Sequence, residues 1–159
     1  MSIEPLTQAE QAVNYATFRH IERVRNLLNV CVADLIHRGE LHDQSKLAPP
    51  EVAAFAEYTP KLASCSYGGP EYEAFRAQLK PALDHHYAHN RHHPEHFKHG
   101  IDDMNLLDIV EMLCDWKASS ERHNDGNIRK SIEINAKRFD MSPQLVKILE
   151  NTADLLFKQ

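Results

Sequence analysis

Apolar residues recur at Val13, Phe18, Ile21, Val24, Leu27, Leu28, Cys31 and Leu35, a helical spacing. Thr7 with Glu10 has the pattern of a capping box, so this helix is expected to begin near Gln8. Arg38-Gly39 is expected to stop it, with a cation in the last turn and glycine just beyond. A short polar segment, 40–47, follows. Pro49-Pro50 predicts a helix through about Tyr58, and the prolines and glycines of 59–70 predict a surface loop. A helix is expected over 71–79. Pro81 opens a further one ending near His93, because Pro94 cannot continue it. Residues 96–103 read as a loop around Gly100. Asn105 predicts an N-cap for an apolar helix over 106–121. A turn at 124–126, a helix over 128–139 and a last helix from Ser142-Pro143 to about Phe157 complete the pattern. No repeat, low-complexity tract or linker interrupts it, so one all-α domain is expected.

Composition narrows this picture. The chain has 159 residues, one domain on the usual length prior, with 42% apolar and 26% charged residues. Five glycines against eight prolines, and little period-two alternation, argue against a β sandwich or a dinucleotide-binding α/β fold. The formal net charge of −5 offers no general attraction to a phosphate backbone, so extended nucleic acid is disfavoured as a partner. Small phosphates remain open, because a local site can be cationic or loaded with metal. Cys31, Cys65 and Cys114 are widely spaced, and the first eleven residues hold no secretory apolar stretch. Reduced thiols and a cytoplasmic location are the expectation. No apolar run approaches the roughly 18 residues of a membrane span.

The chemistry sits in the histidines. There are eleven, and seven fall between His85 and His99; the others are His20, His37, His42 and His123. On a helix reaching His93, His86, Asn90 and His93 share one face and His85, His89 and His92 the next. Histidines three or four helical residues apart can grip one metal ion, and an exposed polar face is the alternative. Adjacent His42 and Asp43 can bind one metal or bridge two if the backbone turns so that both side chains converge, and a solvated loop is the alternative. On the 106–121 helix a polar stripe runs through Asp108, Glu111, Asp115, Ser119 and Arg122. Asp108 suits the first turn, where a carboxylate favours the helix dipole. Asp115 lies mid-helix between Cys114 and Trp116. It calls either for a metal or a cation such as Arg122, or for a solvent-facing acidic stripe.

The order His20, His42-Asp43, histidines near 86–93, then Asp115 resembles the HD-domain metal-dependent phosphohydrolase superfamily. The stretches HIERV, RGELHDQSKL, HHYAHNRHHPEHF and MNLLDIVEMLCDWKASSERHNDGN are more closely similar to short, uncharacterised bacterial and phage proteins grouped near it. These stretches carry the HDxSK and HHPEH motifs, and the likeness spans residues 18–152. The resemblance implies a single HD-domain-like fold of about six helices. It implies a first metal held by His20, His42, Asp43 and Asp115. A second would be held by His86 and His93, with His85 and His92 as the rival register. One or two divalent ions (Mn, Co, Fe, Zn or Mg) are implied, with Asn90 or Glu111 orienting ligands or water. Asp43, Lys46 and Arg122 would be the catalytic residues, the last two clamping phosphate. The implied partner is a small phosphoester, a nucleotide in particular, without extended nucleic acid or membrane; self-association stays open. A di-iron oxygenase of the same type and a non-catalytic metal- or nucleotide-binding module are the alternatives. A straight helix from His20 to Arg38 would rise about 27 Å. The five residues on to Asp43 would recover at most about 17 Å. Closing that gap predicts a helix break near Asn29.

Overall fold

The computed structural model describes residues 5–64, 70–122 and 126–157. Among them it is all-helical, with no strand. The helices are α1 (Gln8–Leu41), α2 (Glu51–Ser64), α3 (Pro70–His89), α4 (Leu106–Ser120), α5 (Ile128–Arg138) and α6 (Pro143–Leu156). Short 3-10 turns lie at Gln44–Leu47, Pro94–His96 and Gly100–Asp103. None of the helices is long and apolar enough to cross a membrane. Contacts divide the chain into two units, residues 1–40 and 41–159.

The first unit is α1. Thr7 and Glu10 cap it reciprocally, as the pattern predicts: Thr7 N donates to Glu10 Oε2 at 2.7 Å and Glu10 N to Thr7 Oγ1 at 3.3 Å. The expected break near Asn29 is absent, and so is the stop at Gly39; the helix runs unbroken to Leu41. One glycine costs only about 1 kcal/mol in a helix interior. In the turn just before it, Arg38 pairs with Asp34. The left-handed residue that ends the run is Asp43, at φ 57°.

In the second unit two further breakers fail to break. α2 continues through Pro60 to Ser64 instead of ending near Tyr58. Lys61, one residue on, reaches over the rings of Tyr58 and Phe75 at 4.7 and 5.6 Å, so packing against α3 offsets the hydrogen bond that proline removes. The helices expected over 71–79 and 81–93 are one, α3, with Pro81 inside it between buried Leu79 and Ala82. It stops at His89, four residues early. Asn90 accounts for the stop: its amide donates to the His86 carbonyl at 2.8 Å, satisfying a carbonyl of the last turn. Residues 65–69, with Cys65 and the centre of the expected loop, lie outside the described residues. So do 123–125, with His123 and most of the expected turn.

The caps of α4 and α6 follow the sequence. Asn105 Oδ1 accepts from the Leu107 and Asp108 amides at 2.8 and 3.0 Å, and Asp108 Oδ2 accepts from Asn105 N at 3.0 Å. Ser142 Oγ accepts from Leu145 N at 3.2 Å. The core joins Ile109, Met112 and Leu113 of α4, Ile128 and Ile132 of α5, Met141, and Leu149 and Ala153 of α6. One side of α4 is thereby fixed in the core, which leaves its polar stripe on another side.

Candidate metal centre

Four pieces of the second unit supply the site. His42 and Asp43 follow α1, and the left-handed backbone at Asp43 turns the chain so that both side chains converge. His86 lies in the last turn of α3. His92 and His93 lie in the segment after it, and Glu111 and Asp115 on the polar stripe of α4. That segment is anchored by Arg91, whose Nε and Nη2 donate to the two oxygens of fully buried Asp108 at 3.2 and 3.0 Å. Asp108 thus caps α4 and also holds the strand of chain that presents two histidines.

The polar atoms converge closely. Asp43 Oδ1 lies 3.3 Å from His86 Nε2 and 3.6 Å from His92 Nε2. Asp43 Oδ2 is 3.6 Å from His42 Nε2, which is 3.7 Å from Asp115 Oδ1. His86 Nε2 and His93 Nε2 are 2.9 Å apart. Glu111 Oε1 sits behind two rings, 3.0 Å from His42 Nδ1 and 3.1 Å from His92 Nδ1. Carboxylates accept only, so both Nδ1 atoms carry hydrogen and both Nε2 atoms turn toward Asp43. Three overlapping sets offer ligand atoms within 4.8 Å of one another: Asp43, His86, His92 and His93; His42, His92 and Glu111; and His42, Asp43 and Asp115.

Among the described residues two buried side-chain atoms lack a hydrogen-bond partner, Asp43 Oδ1 and His92 Nε2. They face each other at 3.6 Å. Leaving two such atoms orphaned is costly. Ligands about 2.1 Å from one ion stand roughly 3–4 Å apart, so this pair and its neighbours fit a divalent cation. The charge balance agrees. Asp43, Asp115 and Glu111 are acidic, and Lys46 brings a cation to 2.6 Å from Asp43 Oδ2. The carboxylates of Asp115 and Glu111 push His42 up to about 10. Burial, then the neighbouring His92 and His86, push His93 down to about 3. Burial alone would raise Asp43, but His86 and Lys46 outweigh it and hold the carboxyl below its usual range. Asp115 is likewise lowered against its burial, by His42 and then by His92 and His93.

The residues expected to bind metal are therefore distributed as follows. His42, Asp43, Asp115, His86 and His93 come together, and His92 joins them. Of the rival pair His85 and His92, only His92 does; His85 turns to Glu51 and stacks on His89. His20 is exposed on α1, and none of the three sets contains it. Asp115 faces His42 rather than Arg122, which lies exposed just past α4. Lys46 is engaged with Asp43 and lies 5.6 Å from the Phe55 ring centre. Glu51 escaped sequence reasoning altogether, since an acid in the first turn of a helix is ordinary.

No curated protein and no solved structure matches the chain. Residues 9–155 match DUF5662, described as a family of unknown function, and the chain belongs to that family.

Proposed function

We propose that the protein is a metal-dependent phosphohydrolase acting on a small phosphoester, a nucleotide in particular. The observation that carries the reading is the pair of buried, unpartnered atoms Asp43 Oδ1 and His92 Nε2, set among further imidazoles and carboxylates. The step from ion to hydrolysis rests on the likeness to the HD-domain superfamily. When bound, one or two divalent ions (Mn, Co, Fe, Zn or Mg) would supply a Lewis acid and lower the pKa of bound water toward neutrality. Asp43, His42, His86, His92, His93 and Asp115 would hold them, with Glu111 keeping two of the rings in register. Lys46 would exchange its contact with Asp43 for a phosphate oxygen, and Arg122 would neutralise further phosphate charge from the end of α4.

The test is purification without chelators or an affinity tag, metal analysis, and a screen of nucleotides with manganese, cobalt and magnesium. Asp43→Ala is expected to lose bound metal and hydrolysis together while keeping its helical circular dichroism. Turnover retained in that variant with metal content unchanged would sink the proposal. Wild-type protein with coloured, redox-active iron and no hydrolysis would assign oxygen chemistry instead. Tight stoichiometric metal with no turnover of any phosphoester would assign a binding module.

A further inference from the structure

Glu51 opens α2 and is a carboxylate with 0% exposure. Burying such a group is costly unless its oxygens are matched. Both are, and by adjacent residues of α3: Oε1 lies 2.7 Å from His85 Nδ1 and Oε2 2.9 Å from His86 Nδ1. An ionised carboxylate only accepts, and both Nδ1 atoms must donate to it. The His86 ring is 1% exposed, and its Nε2 faces Asp43 Oδ1 at 3.3 Å and His93 Nε2 at 2.9 Å. With Nδ1 committed to Glu51, Nε2 is the nitrogen that can offer a lone pair to an ion in the centre.

A competing donor makes the choice consequential. Asn90 Nδ2 lies 3.0 Å from the same His86 Nδ1. Without the carboxylate, the Asn90 amide and the Ser45 hydroxyl, 3.3 Å away, are the neighbours able to donate to Nδ1. The ring then moves its hydrogen to Nε2 and presents N–H where a ligand lone pair is required.

We infer that Glu51 is a positioning residue of the metal centre: it holds His86 in the Nδ1–H tautomer and thereby keeps Nε2 available as a ligand. The inference rests on the metal reading above and adds to it a residue outside the ligand sets. A purely structural clamp between α2 and α3 would also place hydrogen on Nδ1, so metal affinity set against metal-free stability in a Glu51 variant separates the two roles.

The experiment is nitrogen-15 NMR of the histidine rings in metal-free protein, with zinc affinity measured by competition against a chelating dye. Wild type is expected to show His86 as Nδ1–H. Glu51→Gln, which keeps the shape but puts an amide donor beside the rings, is expected to shift His86 to Nε2–H. It should also weaken zinc binding about 10–100-fold, the usual cost of losing a carboxylate behind a ligating histidine. The metal-free melting temperature should move by no more than about 5 °C. His85→Phe removes the other half of the contact and is expected to leave the His86 tautomer in place, with affinity within about twofold. His86 found as Nε2–H in wild type overturns the inference, as does Glu51→Gln with unchanged tautomer and affinity. Should Glu51→Gln fail to fold, His86 found as Nε2–H in wild type still overturns the inference. Wild type that takes up no divalent ion would sink the reading of the centre, whereas the tautomer in metal-free protein tests Glu51 separately.

Discussion

His42 has a carboxylate against each ring nitrogen, Glu111 at 3.0 Å on Nδ1 and Asp115 at 3.7 Å on Nε2. That arrangement suits an imidazolium, which is why the group is pushed up to about 10. A metal ligand must be the neutral ring, so an ion entering at neutral pH has to displace the Nε2 proton. Affinity is therefore expected to rise with pH from about 6.5 to about 10, by up to tenfold per unit for one proton. The metal-free protein runs the other way. The contribution of a raised pKa is fully present below 6.5 and is lost as pH climbs through about 10. Calorimetry of zinc or manganese binding at pH 8, in two buffers of different ionisation heat, should show one proton released per ion. Glu111→Gln weakens the hold on that proton and should reduce the release. Equal heats in both buffers would contradict the displacement. The same residues show what was legible in the sequence. His42, Asp43 and Asp115 are legible through their order along the chain, which resembles the HD-domain signature; taken singly, a His-Asp pair suits a solvated loop and a mid-helix aspartate a solvent-facing stripe. The choice among the later histidines was not, because the register argument assumed a helix reaching His93. The helix ends at His89, and in the following segment His92 and His93 both reach the centre.

At the scale of elements, helix starts are legible wherever a side chain caps them: Thr7 with Glu10, Asn105 with Asp108, Ser142 before Pro143. Ends and interruptions are not, because Gly39, Pro60 and Pro81 carry local penalties of about 1–3 kcal/mol that packing and neighbouring turns offset. No short-range pattern reveals that balance. Asp108 shows how an element's cap can serve the site. Sequence alone gives it a first-turn role; the structure adds the paired donors of Arg91, and through Arg91 the placement of His92 and His93. Asp108→Ala removes one half of the capping box and leaves the half-exposed Arg91 without that partner, which should cost about 1–2 kcal/mol. Arg91→Ala removes only the anchor. It leaves the fully buried Asp108 carboxylate without its cation, so it is expected to cost at least as much stability and to weaken metal binding comparably, because the histidine segment loosens in both. Urea unfolding and dye-competition affinity measured on the two variants check this. An Arg91→Ala protein with wild-type metal affinity would show that the segment holds its shape unaided.

Across residues 41–159, α4 serves two regions at once. Met112 and Leu113 are buried in the core with Leu149 and Ala153 of α6, while Glu111 and Asp115 face the histidines. An ion that binds only the folded form should therefore appear as stability of that whole unit, about 2.7 kcal/mol at a hundredfold excess over Kd. Leu149→Ala empties a site that is 2% exposed and should cost about 2–5 kcal/mol. Neither change removes an atom the other uses, so the two effects should add within about 0.5 kcal/mol. Melting curves of wild type and Leu149→Ala, each with and without a divalent ion, close the cycle. The ion is expected to raise both proteins by the same free energy, restoring much of what the core variant loses. A smaller increment in Leu149→Ala would mean that the packing of α4 against α6 sets the geometry of Glu111 and Asp115. No increment in either protein would mean that the convergent imidazoles and carboxylates take up no ion.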